Sequence, residues 1–439
     1  MEELEIKQEK RRNVFTNRNF VLVFLGALVS NVAALFYSFA VSFYILKITG
    51  NNALIQGLYL ATGGVVFCVV TLFGGVISDR FNKAKIMYIC DYLKGAIIIG
   101  FTLLIMFVIK SVAWQVAALF VVTVLLNAIA GIFSPASSAL LPLIVEEYQF
   151  QQAQSYYQIL GSFQSIVGVV LAGILYTMIP INVLFFIVGG CYILSAISEM
   201  FIRYSSDFEK RDEKLTIKAV FSDIKVGFKY IFSIKALLSL MGCILFLNFF
   251  FSPVYENFMP YFTATDIANS EYLFKGLIEP EMWSAFFAVA VGLGSLIMAI
   301  VLSSLKQAEK CSKIVRYSTL ILSCFFIVGS TLYLLFTKNV IGINTVIISF
   351  LALFFIIGVL LILINVPTST AMMKIVDKDK FGKVSAVMNI GSQGLIPLAM
   401  FLGGVALTYI GSAGLLLVCS GGLLLISLIL FFNKSFREI

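Results

Sequence analysis

The chain has 439 residues, of which 60% are apolar, 14% aromatic and 12% charged, a balance that leaves too little polar surface to cover a water-soluble globule. A membrane-spanning helix takes roughly 20 apolar residues, so twelve spans use about 240; the remainder suffices for short loops and one connector and excludes a membrane-anchored soluble enzyme. Histidine is absent, which removes imidazole proton relays, histidine-ligated haem or zinc and any triad based on imidazole. The cysteines Cys68, Cys90, Cys191, Cys243, Cys311, Cys324 and Cys419 are scattered without metal-ligand spacing, so no disulfide, metal or cofactor is expected.

In chain order, apolar runs bounded by charges or turn residues predict spans at 19–46, 53–78, 86–109, 112–134, 154–178 and 181–202. The first run is nearly twice as long as the apolar core of a signal peptide and is read as an uncleaved helix. Residues 203–235 break the pattern with Arg203, Asp207, Glu209, Lys210, Arg211, Asp212, Glu213, Lys214 and further charges. Within this connector Ile217, Val220, Phe221, Ile224, Phe228 and Ile231 recur at helical spacing opposite Lys218, Lys225 and Lys229, which fits either an amphipathic helix on the membrane surface or a solvated linker helix. Six more spans follow at 236–260, 281–303, 314–337, 342–366, 383–408 and 411–432. The expected fold is therefore all-α and integral to the membrane: a tail (1–18), a six-helix bundle (19–202), the connector, a second six-helix bundle (236–432) and a tail (433–439).

With both termini in the cytoplasm, the outward loops hold only Lys47, Lys110, Lys275 and Lys338 out of 31 Lys and Arg. This positive-inside bias sets the orientation and accounts for the net charge of +8 without a nucleic-acid partner. The inward loop at Glu146 and Glu147 is the exception, having no basic residue.

An offset of about 230 residues superposes the two halves locally. Pro135, Ser137, Ser138 and Ala139 align with Pro367, Ser369, Thr370 and Ala371; Ile144, Val145 and Glu146 align with Ile375, Val376 and Asp377; Phe150 aligns with Phe381. Gly161, Ser162, Ile166 and Gly173 then align with Gly391, Ser392, Ile396 and Gly403. Duplicated membrane halves with matching discontinuities are the way secondary transporters build a substrate site that opens alternately to the two sides. No G-x-x-x-x-G-K-[ST] phosphate loop is present, so a gradient must drive transport.

Between the second and third spans, Gly75-Val76-Ile77-Ser78-Asp79-Arg80-Phe81-Asn82-Lys83-Ala84-Lys85 resembles the G-x-x-x-D-R-x-G-R-[KR] loop of the major facilitator superfamily. The resemblance extends over essentially the whole length. It implies two pseudo-symmetric six-helix bundles, with Gly75, Asp79, Arg80, Lys83 and Lys85 as a cytoplasmic gate motif. Asn82 replaces a glycine, tolerable because asparagine also adopts left-handed turns, and Ala84 replaces a basic residue. The corresponding stretch of the second half keeps Lys306, Lys310 and Lys313 but lacks the acid. F-S-P-A-S-S-A-L-L-P around Pro135, D-Y-L-K-G at 91–95 and K-V-G-F-K-Y at 225–230 are similar to the drug and macrolide efflux branch, which implies export and multidrug resistance. Two features of proton-coupled drug exporters are altered: the fourth-span arginine position is Asn127 and the fifth-span glycine-proline pair is Gly168-Val169.

Polar residues at mid-membrane depth are the candidates for the substrate cavity: Asn31, roughly 20 Å from the inner boundary at 1.5 Å per residue, its counterpart Asn248, and Ser38, Ser42, Asn127, Gln164, Asn389 and Gln393. The competing reading is interhelical hydrogen bonding. Ionisable residues within spans are functional candidates by default. Asp91 and Lys94 share one face of the third span and neutralise one another. Glu199 and Arg203 form a similar i, i+4 pair, read as structural. Glu256, between Pro253 and Pro260, has no local basic partner, so Glu256 and Asp91 are the proton-coupling candidates. Gly63, Gly64, Gly74, Gly75, Gly403 and Gly404 read as close-packing contacts, and the 261–280 loop as the one outward segment long enough to bear on substrate entry.

The function expected is a secondary transporter, not an enzyme, that exports amphipathic or hydrophobic small molecules by alternating access in exchange for protons, as a monomer in a bacterial cell membrane. The alternatives are a facilitator or flippase for a lipid, siderophore or other metabolite without proton coupling and, from another class, a membrane-embedded enzyme or receptor-like binding protein.

Overall fold

In a computed structural model, residues 14–146, 149–203, 225, 228–304, 311–376, 384, 387–388 and 391–433 are described. Inside a bilayer every backbone donor and acceptor must pair within the segment, and the apolar runs accordingly form helices. These are α1 (Arg18–Ile48), α2 (Ala53–Arg80), α3 (Lys83–Phe107), α4 (Val112–Ile144), α5, α6 (Ile181–Met200), α7, α8 (Met282–Ser304), α9 (Cys311–Thr337), α10 (Ile343–Ile375), α11 (Ile396–Tyr409) and α12 (Gly411–Phe432). Helix α5 is continuous from Phe150–Phe163 through a π-helical turn, Gln164–Gly168, into Val169–Met178. Helix α7 runs from Lys235–Ser252 through two π-helical turns, Pro253–Phe258 and Thr263–Ile267, separated by Met259–Phe262. Among the described residues twelve helices are long and apolar enough to span a membrane, and the chain is a multi-pass membrane protein.

The boundaries follow local chemistry. Gly50 and Asn51, at φ +64° and +62°, supply the left-handed turn between α1 and α2, a conformation open to glycine and asparagine. The side chain of Asn82 caps α3, its Oδ1 accepting from the Lys85 amide at 3.1 Å. Three predicted ends are corrected. The span expected to stop at 260 continues as helix to Ile267, into the segment 261–280 read as a loop. Spans expected to stop at 134 and 366 continue as helix through Pro135 to Ile144 and through Pro367 to Ile375. Proline removes one ladder bond, a loss that a membrane-embedded helix tolerates; nearby, Ser138 Oγ donates to the Ser134 carbonyl (3.0 Å) and Thr368 Oγ1 to the Ile364 carbonyl (2.6 Å). Most of the connector lies outside the described residues; at its end 228–233 are helical, with Ile231 buried and Lys229 exposed.

The chain divides into two compact units, 1–39 with 66–217 and 40–65 with 218–439. In the first, α3 packs against α4 and α6. A Cβ added to Gly95 would lie 2.9 Å from the Gly189 carbonyl oxygen, so the α3–α6 crossing depends on two facing glycines. Helices α2 and α4 cross at Gly74 and Gly131 in the same manner. In the second unit the equivalent pairings recur, α9 against α10 and α12, and α8 crosses α10 at Gly294 and Gly358, where a Cβ on Gly358 would meet the Val291 carbonyl and the Ser295 amide. Small residues let helix backbones approach where lipid offers no hydrophobic drive to association. Hydroxyls tie α9 to α12: Ser330 Oγ donates to the Leu416 carbonyl at 3.0 Å, and the Ser323 and Ser427 oxygens lie 3.2 Å apart. The core of this unit is aromatic, with Phe258, Phe262 and Phe287 fully buried around Tyr333, Phe350 and Phe354.

Residues 40–65, the joined ends of α1 and α2, belong to the second unit. A Cβ on Gly57 would lie 2.7 Å from the Gly404 Cα, and one on Gly64 would lie 2.7 Å from the Pro397 ring, so this hairpin rests directly on the α11 backbone.

Candidate functional site

Three of the expected polar residues lie on helices whose regular winding is interrupted. Gln164 opens the π-helical turn of α5, and its amide nitrogen is buried without a hydrogen-bond partner. Gln393 is exposed in the last helical residue before α11 breaks at 394–395, where Leu395 sits at φ −92°, ψ −7°. The offset of about 230 residues that aligns the halves carries Gln164 to within one residue of that break. Asn248 of α7 spans the same place, its Nδ2 donating to the Ser392 carbonyl at 3.0 Å. Each half therefore carries a discontinuity at a matching position beside an amide side chain. Inserting one residue per turn, as a π-helix does, frees backbone groups and re-aims side chains, and such turns recur at functional sites.

The other polar candidates are distributed less evenly. Asn31 and Ser38 are exposed on one face of α1, two turns apart. Asn127 of α4 is half-buried and donates to the Thr123 carbonyl of its own helix at 2.9 Å. Ser42 accepts a hydrogen bond from Gln56, 3.1 Å away on α2, and so serves to join the hairpin. Asn389 lies outside the described residues.

Among the ionisable candidates, Asp91 and Lys94 form the expected pair, Nζ to Oδ1 at 3.0 Å, with both side chains buried. The Lys94 ammonium also lies 4.1 Å from the centre of the Phe133 ring. Glu256 is half-buried within the first π-helical turn of α7. The expected Glu199–Arg203 pair is corrected. Arg203 lies exposed beyond the end of α6, where its backbone amide donates to Asn19 Oδ1 at 3.0 Å, whereas the Glu199 carboxylate is fully buried with neither oxygen hydrogen-bonded. The helix ends one residue after Glu199, so the two side chains do not share a helical face.

The sequence of this chain from residue 22 to 400 matches the model of the Major Facilitator Superfamily. The chain belongs to that superfamily. It is a membrane transporter and not an enzyme. Its relatives include the uncharacterised MFS-type transporter YkuC of Bacillus subtilis (strain 168), 25% identical over 391 residues that cover 86% of this chain and 83% of the relative. Macrolide efflux protein A of Streptococcus pyogenes is 28% identical over 165 residues, covering 37% of this chain and 39% of the relative. Among solved structures, a D-xylose–proton symporter superposes with a TM-score of 0.72 at 10% identity, covering 95% and 98% of the two chains. A bacterial homologue of the iron transporter ferroportin, in an inward-facing state, superposes at 0.70 and 13%, covering 94% and 98%.

The superfamily loop after α2 differs in detail from the expectation. A Cβ on Gly75 would meet nothing within 4 Å, whereas Gly74 is the residue pressed against Gly131; the close contact belongs to the neighbouring glycine because the α4-facing side of α2 is one residue earlier. Asn82 is extended, at φ −60°, and acts as a helix cap instead of a left-handed turn. Lys83 is buried and Lys85 exposed, while the side chains of Asp79 and Arg80 lie outside the description.

Two features were not foreseen from sequence. Asn257, in the first π-helical turn of α7, is fully buried and donates to the Met400 carbonyl of α11 at 3.1 Å, beside Gly403, whose added Cβ would lie 2.8 Å from Pro253 Cβ. Asp266, in the second such turn, accepts a hydrogen bond of 2.8 Å from the Tyr333 hydroxyl. The prolines at 253 and 260 were the available signal, since each removes a ladder donor from α7.

Proposed function

We propose that this transporter exports amphipathic or hydrophobic small molecules by alternating access, in exchange for protons, with both termini in the cytoplasm and the single chain as the working unit. The observation that carries the reading is the pair of interruptions at matching places in α5 and α11, each beside an amide side chain, the arrangement by which duplicated transporters bind substrate. Asn31, Ser38, Asn127 and Gln164 would supply substrate contacts from the first six helices, and Asn248, Asn389 and Gln393 from the second. The export direction and the class of cargo are supported by the likeness of 165 residues to a macrolide efflux protein. Glu256 and Asp91 are the proposed coupling carboxylates, and Gly75, Asp79, Arg80, Lys83 and Lys85 the proposed cytoplasmic gate, with its acid acting on a neighbouring helix terminus.

The test is proton-gradient-driven movement of macrolides, lipophilic cations and lipid-like dyes in proteoliposomes, comparing the wild type with Glu256→Gln and Asp91→Asn. Uphill accumulation by the wild type, with one variant retaining only downhill exchange, is the expected result. Movement that ignores the proton gradient in all three proteins would discard antiport in favour of a facilitator or flippase.

A further inference from the structure

Inside the first unit lies a cluster with unequal charge. Asp91 and Glu199 are each 0% exposed, and Lys94 is 6% exposed. The Lys94 ammonium is engaged by Asp91 Oδ1 at 3.0 Å and by the faces of Phe133 and Tyr192, at 4.1 and 5.2 Å from the ring centres. Three carboxylate oxygens, Asp91 Oδ2 and both of Glu199, have no hydrogen-bond partner. One cation is thus spent on Asp91, and two ionised carboxylates would leave a buried surplus of one negative charge, which is costly unless neutralised.

Among the described residues, no cation other than Lys94 faces Glu199. From α1, Gly26 packs so closely that an added Cβ would lie 3.2 Å from Glu199 Oε1, and the Gly26 carbonyl is already taken by Ser195 Oγ at 3.0 Å. The titratable and charged groups facing it from other helices are Asp91, Lys94 and Cys90 of α3 and Tyr157 of α5; Tyr192, on its own helix, faces Asp91. A metal ion or Na⁺ would need several free oxygens converging on it and would sit against the Lys94 ammonium, whereas a proton needs neither space nor further ligands.

We propose that Asp91, Lys94 and Glu199 form a proton-binding site in which Glu199 carries one exchangeable proton while Asp91 remains paired with Lys94. Binding converts the Glu199 carboxylate to a carboxylic acid and brings the cluster to zero net charge; release restores the surplus negative charge and requires Lys94 to be shared between the two carboxylates. The proposal stands whatever the cargo is; it assigns the exchangeable proton of this cluster to Glu199, so that Asp91 would act in coupling as the partner of Lys94 and not as the proton carrier.

The test is infrared spectroscopy of the purified full chain in lipid at neutral pH, recorded in H2O and D2O, with folding of each variant checked by gel filtration and thermal melting. The wild type should show a carboxylic-acid carbonyl band that shifts in D2O, with a component that persists in Glu256→Gln and is lost in Glu199→Gln. Charge counting supplies a second readout. In Asp91→Asn, Lys94 is free to pair with Glu199, so the band should vanish although Glu199 is present; in Lys94→Met, both acids should take up protons and the band should gain a second component. A wild type without the band, a band left undiminished by Glu199→Gln, or a carboxylate signal that instead shifts on adding Na⁺ or K⁺ would overturn the proposal. Should Glu199→Gln fail to fold, the Asp91→Asn and Lys94→Met spectra still decide.

Discussion

Gly74 and Gly75 are chemically identical neighbours with opposite roles. A methyl group on Gly74 would strike the Gly131 backbone, while one on Gly75 meets open space. Gly74→Ala should lower stability by about 1–3 kcal/mol through overpacking, and Gly75→Ala should leave it unchanged or raise it by up to about 1 kcal/mol, because alanine restricts the unfolded chain; thermal melting in detergent measures both. Asn82→Ala removes the bond to the Lys85 amide and should cost about 1 kcal/mol, whereas Asn82→Gly, the residue usual in that loop, should cost only a few tenths. The presence of close-packing glycines could be read in the sequence, but which of two adjacent glycines makes the contact depends on the azimuth of α2 against α4, and a rotation of 100° per residue is enough to exchange them.

Helices α5, α7 and α11 depart from regular winding, and these departures coincide with Gln164, Glu256 and Gln393. Deleting Val167 should convert the π-helical turn of α5 to α-helix, since such a turn is a local insertion. The variant should remain folded by gel filtration yet lose substrate movement in proteoliposomes; unimpaired movement would show that the turn has no part in transport. At Pro135 and Pro367, by contrast, α4 and α10 run on about nine residues past the ends their sequence pattern predicts. Proline is a breaker in water, but in a membrane span its surroundings can satisfy the freed backbone groups, so proline does not end these helices.

The division into units assigns the α1–α2 hairpin, residues 40–65, to the second six helices, held where Gly57 and Gly404 meet and Gly64 faces Pro397. Gly404→Leu cannot be accommodated against the Ala53 carbonyl and should push the hairpin off α11. A cysteine at Ala53, a position now 4% exposed, should then react with a water-soluble maleimide several-fold faster than in the Gly404 background; an unchanged rate would show that the contact does not hold the hairpin. The membrane spans and the paired Asp91 and Lys94 were legible in the chain, because hydropathy and helical spacing are local properties that add up along a sequence. The partner of Glu199 was not. Spacing pointed to Arg203 four residues on, yet α6 ends first and turns the carboxylate inward toward Asp91 and Lys94 of another helix. Choice of partner among helices depends on where each one ends, how it is rotated and which glycines admit its neighbour, and those quantities exist only once the helices are packed.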